Sequence, residues 1–476
     1  MIAVLAGSAA IAAAQVSPNQ LERASRLQEL QQIELANRYQ ANGDIPPEQR
    51  AVIDWGGYFT LNYLSLDDEN DDNHGLRQYD FVAYTRLMLD NANEVFLRFR
   101  TSYRDYNNGD SFDGFGDRLV DPDLDRAFYR FDLAAQQAAY HSKQIDTDVT
   151  VKAGRDLALW ANGLSLTEVL DGVVIDINNP AYKLEVLGGI TPTRTVDFDP
   201  SRPDFDHNTR RGFYGAMLSV PIGQHTPFIY ILSQQDYNSK DNSQVGAIST
   251  DFSYNSDYLG VGSTGSLSDR LQYGVEGVYE FGDTLSNSFT LTNGSLVQAV
   301  QTRDNIRSYA IDARLDYLIP DTHQSRLGME AIFSSGDPDR GSSNTTFNGN
   351  RPGTNDLAFN SFGLINTGLA FAPAVSNIMA LRLSASTFPV PGSGLFNRFQ
   401  VGTDFFAYWK MRTNAPIDEP TTETKYLGVE PDIYVNWQIV SDVTLALRYG
   451  VFVPNSEAFP HNQARQFVYG GLTFAF

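Results

Sequence analysis

Long segments of this chain alternate apolar and polar residues with a period of two, and that rhythm restricts the fold more than any other feature. In RQYDFVAYTRLML (77–89), Phe81, Ala83, Thr85, Leu87 and Leu89 share one side, while Asp80, Tyr84 and Arg86 share the other. In EVFLRFRTSYR (94–104), Val95, Leu97, Phe99, Thr101 and Tyr103 oppose Glu94, Phe96, Arg98, Arg100 and Arg104. RFQVGTDFFAYWK (398–410) and YLGVEPDIYVNWQI (426–439) repeat the pattern. A period of two is that of a β-strand. An ordinary strand has about 5–6 residues. These runs of about 11–14 residues are long enough for a tilted crossing of a bilayer. The chain also ends on such a run, QARQFVYGGLTFAF, with Val468, Gly470, Leu472, Phe474 and Phe476 on one face. Nothing polar follows to cover it.

Composition agrees. The 476 residues suffice for two or three soluble domains or one large barrel. Mean hydropathy is −0.30, and no run reaches the roughly 18 apolar residues of a spanning helix. Aromatic residues make up 12% and the net charge is −22. A polar average with abundant aromatics and no spanning helix predicts a transmembrane antiparallel β-barrel. Such acidity argues against a nucleic-acid partner. With no cysteine there is no disulfide framework and no thiol chemistry. The six histidines have no metal-ligand spacing.

The N-terminal run MIAVLAGSAAIAAAQ reads as the apolar part of an export signal, residues 1–16, ending in small residues without the usual basic start. Residues 17–50 read as a periplasmic helical segment. Within 18–42, Leu21, Ala24, Leu27, Leu30 and Ile33 recur at near-helical spacing, and Gly43 to Pro47 end the run. That helix is expected to pack on a periplasmic partner, pair with a second copy, or enter the barrel as a plug.

From residue 51 to 476 the pattern is barrel throughout. Outer-membrane barrels join strands by short periplasmic turns and longer outer loops. Short connections fall near 90–93, 178–181, 221–226, 265–269, 319–324 and 440–442. Long ones fall at 67–76, 107–123, 195–210, 237–249, 283–304, 335–377, 412–425 and 455–465, with 134–146 a long inner turn. SFGLINTGLAFAP (361–373) alternates weakly and is assigned to the preceding outer loop, which leaves about eighteen strands with both ends in the periplasm. The last strand must then pair with the first, near WGGYFTLNYLSL (55–66), so that no edge is left open in lipid. Phe474 and Phe476 are expected in the inner aromatic girdle. Phe476 also resembles the terminal signal read by the outer-membrane assembly machinery.

VKAGRDLALWANGLSL (151–166) followed by LDGVVIDI (170–177) resembles the Gly-Arg-Gln strand and the following Asp-Gly-Val strand of the alginate export family, with Asp156 in place of the glutamine. The finish, VTLALRYGVFVPNSEAF with RQFVYGGLTFAF, resembles that family's last two strands. The resemblance implies an eighteen-stranded outer-membrane conduit, passive and arginine-lined, for an anionic polysaccharide.

Alternation sets out the wall residues expected to face the pore. The basic candidates are Arg86, Arg98, Arg100, Arg104, Arg126, Arg130, Lys152, Arg155, Arg314, Arg326, Arg382 and Arg448, and the acidic ones are Asp80, Glu330, Asp404 and Asp432. Arginines concentrate near 86–130, whereas 270–330 mixes signs. A positive wall would bind carboxylates through arginine forks. A mixed wall would set a transverse field across the constriction. Any one of these arginines taken alone is expected in an ion pair within the wall, with Asp80 and Asp132 as carboxylates, and solute selection is the competing reading for Arg98, Arg100, Arg104, Arg126 and Arg130 as a group. If instead they select uronates, replacing Arg98 and Arg100 relieves block by uronate oligomers. The loop 335–377 is the expected constriction or lid.

No nucleophile–base pair is visible, so no enzymatic activity and no resident cofactor are expected. Acidic stretches at 66–75, 121–126 and 335–343 are candidates for calcium, or for cations bridging lipopolysaccharide phosphates. The competing function is structural: a barrel that anchors the envelope through its N-terminal helix.

Overall fold

The computed structural model describes residues 51–476 except 71, 108–110, 112–115, 199–207, 239–242, 246–247, 293–294 and 341–349. The expected export signal (1–16) and helical segment (17–50) lie outside the described residues.

The chain runs as strands β1 (Ala51–Asp67), β2 (Asn73–Leu89), β3 (Asn93–Tyr106) and β4 (Arg118–Asp132), then a helix, α1 (Leu133–His141). Strands β5 (Asp148–Leu159), β6 (Thr167–Asn179), β7 (Tyr182–Ile190), β8 (Arg211–Ser219) and β9 (His225–Asp236) follow. A small outer hairpin, β10 (Ser243–Val245) and β11 (Ile248–Thr250), precedes β12 (Tyr254–Ser268) and β13 (Leu271–Leu285). A second, β14 (Phe289–Thr292) and β15 (Ser295–Gln298), precedes β16 (Arg303–Leu318), β17 (Arg326–Ser334) and β18 (Ile378–Thr387). The chain closes with β19 (Phe399–Lys410), β20 (Tyr426–Val440), β21 (Val443–Pro454) and β22 (Arg465–Ala475). Apart from the two hairpins, the strands form one 18-stranded antiparallel sheet.

The sheet is closed. β22 pairs with β1 from Tyr58↔Ala475 to Leu66↔Phe467, and Gly57 and Phe476 exchange backbone hydrogen bonds of 3.0 and 2.9 Å. No edge is therefore left in the hydrocarbon, as an aqueous-free environment requires. The outward face is apolar and exposed, with Leu97, Ile231, Val261, Leu327 and Ile433 along it. Tyr63, Tyr79, Tyr279, Tyr309 and Tyr449 face outward toward one rim, and Trp55, Tyr182, Tyr317, Phe474 and Phe476 toward the other. These are the two aromatic girdles of a membrane barrel, and Phe476 stands in the inner one.

Short turns and long loops alternate, and the described residues of 335–377 carry no barrel strand. Some connections differ from expectation. The inner turn after β4 holds α1, capped by Asp132, whose side chain accepts from the Ala135 N–H at 2.8 Å. Residues 121–126 belong to β4 rather than to an outer loop. A further inner turn spans 388–398, and a short outer loop spans 160–166.

The core is not in the wall but inside the outer half of the barrel. Trp160, Leu164, Phe213, Tyr258, Phe359, Phe362, Phe371, Tyr408, Phe452 and Phe459 are buried there together.

Candidate functional site

Period two turns one set of side chains into the lumen, and cross-strand register decides which of them meet. Arg98 binds Asp125 through both Nε and Nη2, at 2.9 and 2.6 Å. Glu94 takes Arg86 Nε at 2.6 Å and Arg130 Nε at 3.0 Å. Arg100 reaches Asp80 at 3.3 Å. Asp156 holds Lys152 at 2.8 Å and Arg126 Nε at 2.6 Å. The positive wall of β2 to β5 is thus threaded with carboxylates. Arg104 stands opposite Arg118 at its outer end.

Two residues of this wall stand on a side other than the one expected. A bulge between Arg98 and Phe99 inserts Asp125 as an extra residue of β4. It swings Leu124 outward, 44% exposed, and delivers Asp125 and Arg126 to the same side. Asp125 was therefore missed as a lumen residue. Arg155 is the opposite case and corrects the expected assignment. It shares the outward face of β5 with Ala153, Leu157 and Leu159, because the inward positions are Lys152 and Asp156. There it clamps Asp171, opposite it on β6, at 2.6 and 2.9 Å.

On the far wall Arg382 bridges Glu330 at 2.6 Å and Asp404 at 3.1 Å, and Arg326 pairs with Asp316 at 2.7 Å. Asp432 is buried opposite Gly450. Arg314 and Arg448 differ from the rest. Arg314 donates to Asn162 Oδ1 at 3.4 Å. Arg448 donates to Asn436 Oδ1 at 2.8 Å and to the Leu447 carbonyl at 2.9 Å, and lies 5.3 Å over the Tyr434 ring. Neither has a carboxylate partner within 4.0 Å among the described residues.

Two loops cross the lumen between these walls. The loop 160–166 and the segment 359–374 join in a short parallel bridge, Leu166↔Phe362. Thr167 N–H donates to the Phe362 carbonyl at 2.7 Å, and Leu364 N–H to that of Gly163 at 2.9 Å. A Cβ on Gly363 would lie 2.0 Å from the Leu164 carbonyl, so only glycine allows this approach. Wall carboxylates anchor the resulting bar. Glu276 accepts from the Asn162 N–H at 2.9 Å, and Glu280 from that of Asn360 at 3.0 Å. Glu430 accepts from the N–H groups of Leu369, Ala370 and Phe371, at 2.5, 2.7 and 2.9 Å. Residues 359–374 of the expected constriction loop are thus docked inside the barrel, joined by a loop that the sequence did not mark.

Outer-loop acids have other partners. Asp68 accepts from the N–H groups of Asn70 and Asp72. Arg340 pairs with Asp356 at 2.5 Å and lies 3.8 Å from Asp337. Burial, with Asp356 nearby, raises Asp337 to about 6. Glu419 is buried beside Arg465 at 2.8 Å, and burial outweighs the arginine to push it up to about 7. Among the described residues no three His, Asp or Glu side chains gather as a metal site.

The profile of the alginate export family matches residues 64–465. The chain belongs to the alginate export family. The fold is similar to that of OccK1 (OpdK) of Pseudomonas aeruginosa, with a TM-score of 0.50 at 10% identity, covering 89% of this chain and 98% of that one. OpdK of the same organism in a crystal structure with vanillate gives the same values. No curated protein sequence matches the chain. Family and fold together make the protein a passive channel of the bacterial outer membrane, for solutes or polysaccharide.

Proposed function

We propose that this channel favours anionic hydrophilic solutes, including a uronate-bearing chain, and that Arg314 and Arg448 are the positions where such an anion is met. The supporting observation is the distribution of partners. Arg98 and Arg100 already hold carboxylates, whereas Arg314 and Arg448 hold only neutral acceptors. An arginine on a neutral partner exchanges it for a carboxylate without stranding a buried acid. Arg314 lies directly across the ladder from Glu330 and beside Asp312, so its neighbourhood carries both signs. Such a field keeps anion binding weak enough for release, which conduction requires. In this reading the protein performs no chemical step, the outer leaflet and its lipopolysaccharide surround it, and Phe476 is the feature read by the assembly machinery.

Reversal potential in a planar bilayer under a salt gradient tests the reading. The double variant Arg314→Ser/Arg448→Gln should shift selectivity toward cations and weaken block by uronate oligomers. An unchanged reversal potential in a conducting variant would refute the assignment.

A further inference from the structure

The lipid-facing side of β16 acts as a ruler through the membrane. From the outer rim inward it presents Arg303, Asn305, Arg307, Tyr309, Ile311, Ala313, Leu315 and Tyr317. Tyr309 and Tyr317 are 43% and 41% exposed and mark the two girdles. At ~3.4 Å per residue and a tilt of about 40°, their separation spans roughly 21 Å of membrane, close to the ~25 Å apolar band of such barrels. On the same scale Arg307 projects about 5 Å beyond Tyr309, at the height of the lipid headgroups, and Arg303 about 16 Å beyond it, its guanidinium drawn back toward that layer by Asp283, the cross-strand partner of Asn305.

Neighbouring strands support that level. On β13, Tyr279 is followed outward by Phe281 and Asp283, and Asp257 of β12 lies opposite Phe281. Arg307 lies across from Phe281 on the other side. Its side chain is exposed and makes no hydrogen bond or ion pair with the described residues. Its backbone N–H is fixed to the Asp356 carbonyl at 2.8 Å, so the position is set. Arg303 pairs with Asp283, but both are exposed, at 47% and 41%. Exposed pairs of this kind contribute little and exchange partners readily.

We propose that Arg303 and Arg307 hold a phosphate of an outer-leaflet lipid, with Arg307 as the principal contact. The occupant follows from place and charge. On the outside of a closed barrel, just beyond the outer tyrosines, the headgroup layer is what meets Arg307, with the Arg303 guanidinium above it, and its phosphates match the guanidinium fork. Asp283 on β13 and Asp257 on β12 both lie to one side of the arginines, and they disfavour the anion on that side. The surface is independent of the lumen.

The test titrates detergent-folded protein with diphosphoryl lipid A, with lipid A stripped of phosphate, and with inorganic phosphate. Wild-type protein should prefer diphosphoryl lipid A over the stripped form. Arg303→Gln/Arg307→Gln should lose at least tenfold in affinity, with unchanged conductance and heat-modifiable mobility as controls of folding and of the lumen. Arg307→Lys keeps the charge but loses the fork, and should fall between. Equal affinity for both lipids, equal affinity of variant and wild type, or equal affinity for inorganic phosphate and diphosphoryl lipid A would each overturn the proposal.

Discussion

Replacing Glu430 by glutamine should free one arm of the bar that crosses the lumen. The wild-type carboxylate receives three successive backbone N–H groups, from Leu369, Ala370 and Phe371, and the Tyr408 hydroxyl at 3.3 Å. It has no exposed surface. Glutamine keeps one carbonyl oxygen and turns an NH₂ group toward a donor, so at least one bond is lost and the others lose their charge. Hydrogen bonds to charged groups contribute about 1.5–3 kcal/mol each. Loss of one and weakening of two comes to about 3–4 kcal/mol, or roughly 150–1,000-fold in the docking equilibrium of this segment. Gly368 makes the contact possible. Its φ is +109°, and a Cβ there would lie 2.8 Å from Glu430 Oε1. The anchors at Asn360 and Phe362 remain in the variant, so release should be confined to about 366–374. Hydrogen exchange of the 369–371 amides should accelerate strongly, and single-channel records should show higher mean conductance with added open-channel noise. Unchanged exchange at those amides in a folded variant would refute the latch.

Two further outcomes are expected. Because burial raises Glu419 from 4.5 to about 7, the docked loop binds more protons than the undocked one between those values. This group's contribution to loop docking is therefore full below about 4.5 and is lost as pH rises through about 7. Exchange protection of the 411–425 loop, corrected for intrinsic rate, should be lower at about pH 8 than at about pH 5, and Glu419→Gln should flatten the difference. In the lumen, Arg98→Met should strand Asp125 and lower stability against urea by about 2–3 kcal/mol. The added change Asp125→Leu should restore most of it, and a stable single variant would show that the pair does not hold the wall.

How much was legible in the sequence differed from residue to residue. Arg86, Arg98 and Arg100 were assignable to the lumen because lipid on one side and water on the other impose alternation at every step of β2 and β3. The same logic assigned 361–373 to a loop and joined Phe476 to the first strand. Arg155 was misplaced by its charge: Val149, Val151, Ala153, Leu157 and Leu159 share its parity, so the alternation of β5 itself turns it outward, away from the side of Lys152. The bulge at Asp125 was invisible because one inserted residue leaves no mark on local composition.

What the sequence by itself determined, then, was the barrel: strand count, closure, girdles and the inward or outward sense of most side chains, since the bilayer acts on each residue locally. Only the tertiary structure decided which arginines are neutralised, and that residues 160–166 and 359–374 meet inside the lumen on Glu276, Glu280 and Glu430. Those outcomes depend on register and on contacts between residues as far apart as Asn162 and Glu276, which no local periodicity encodes.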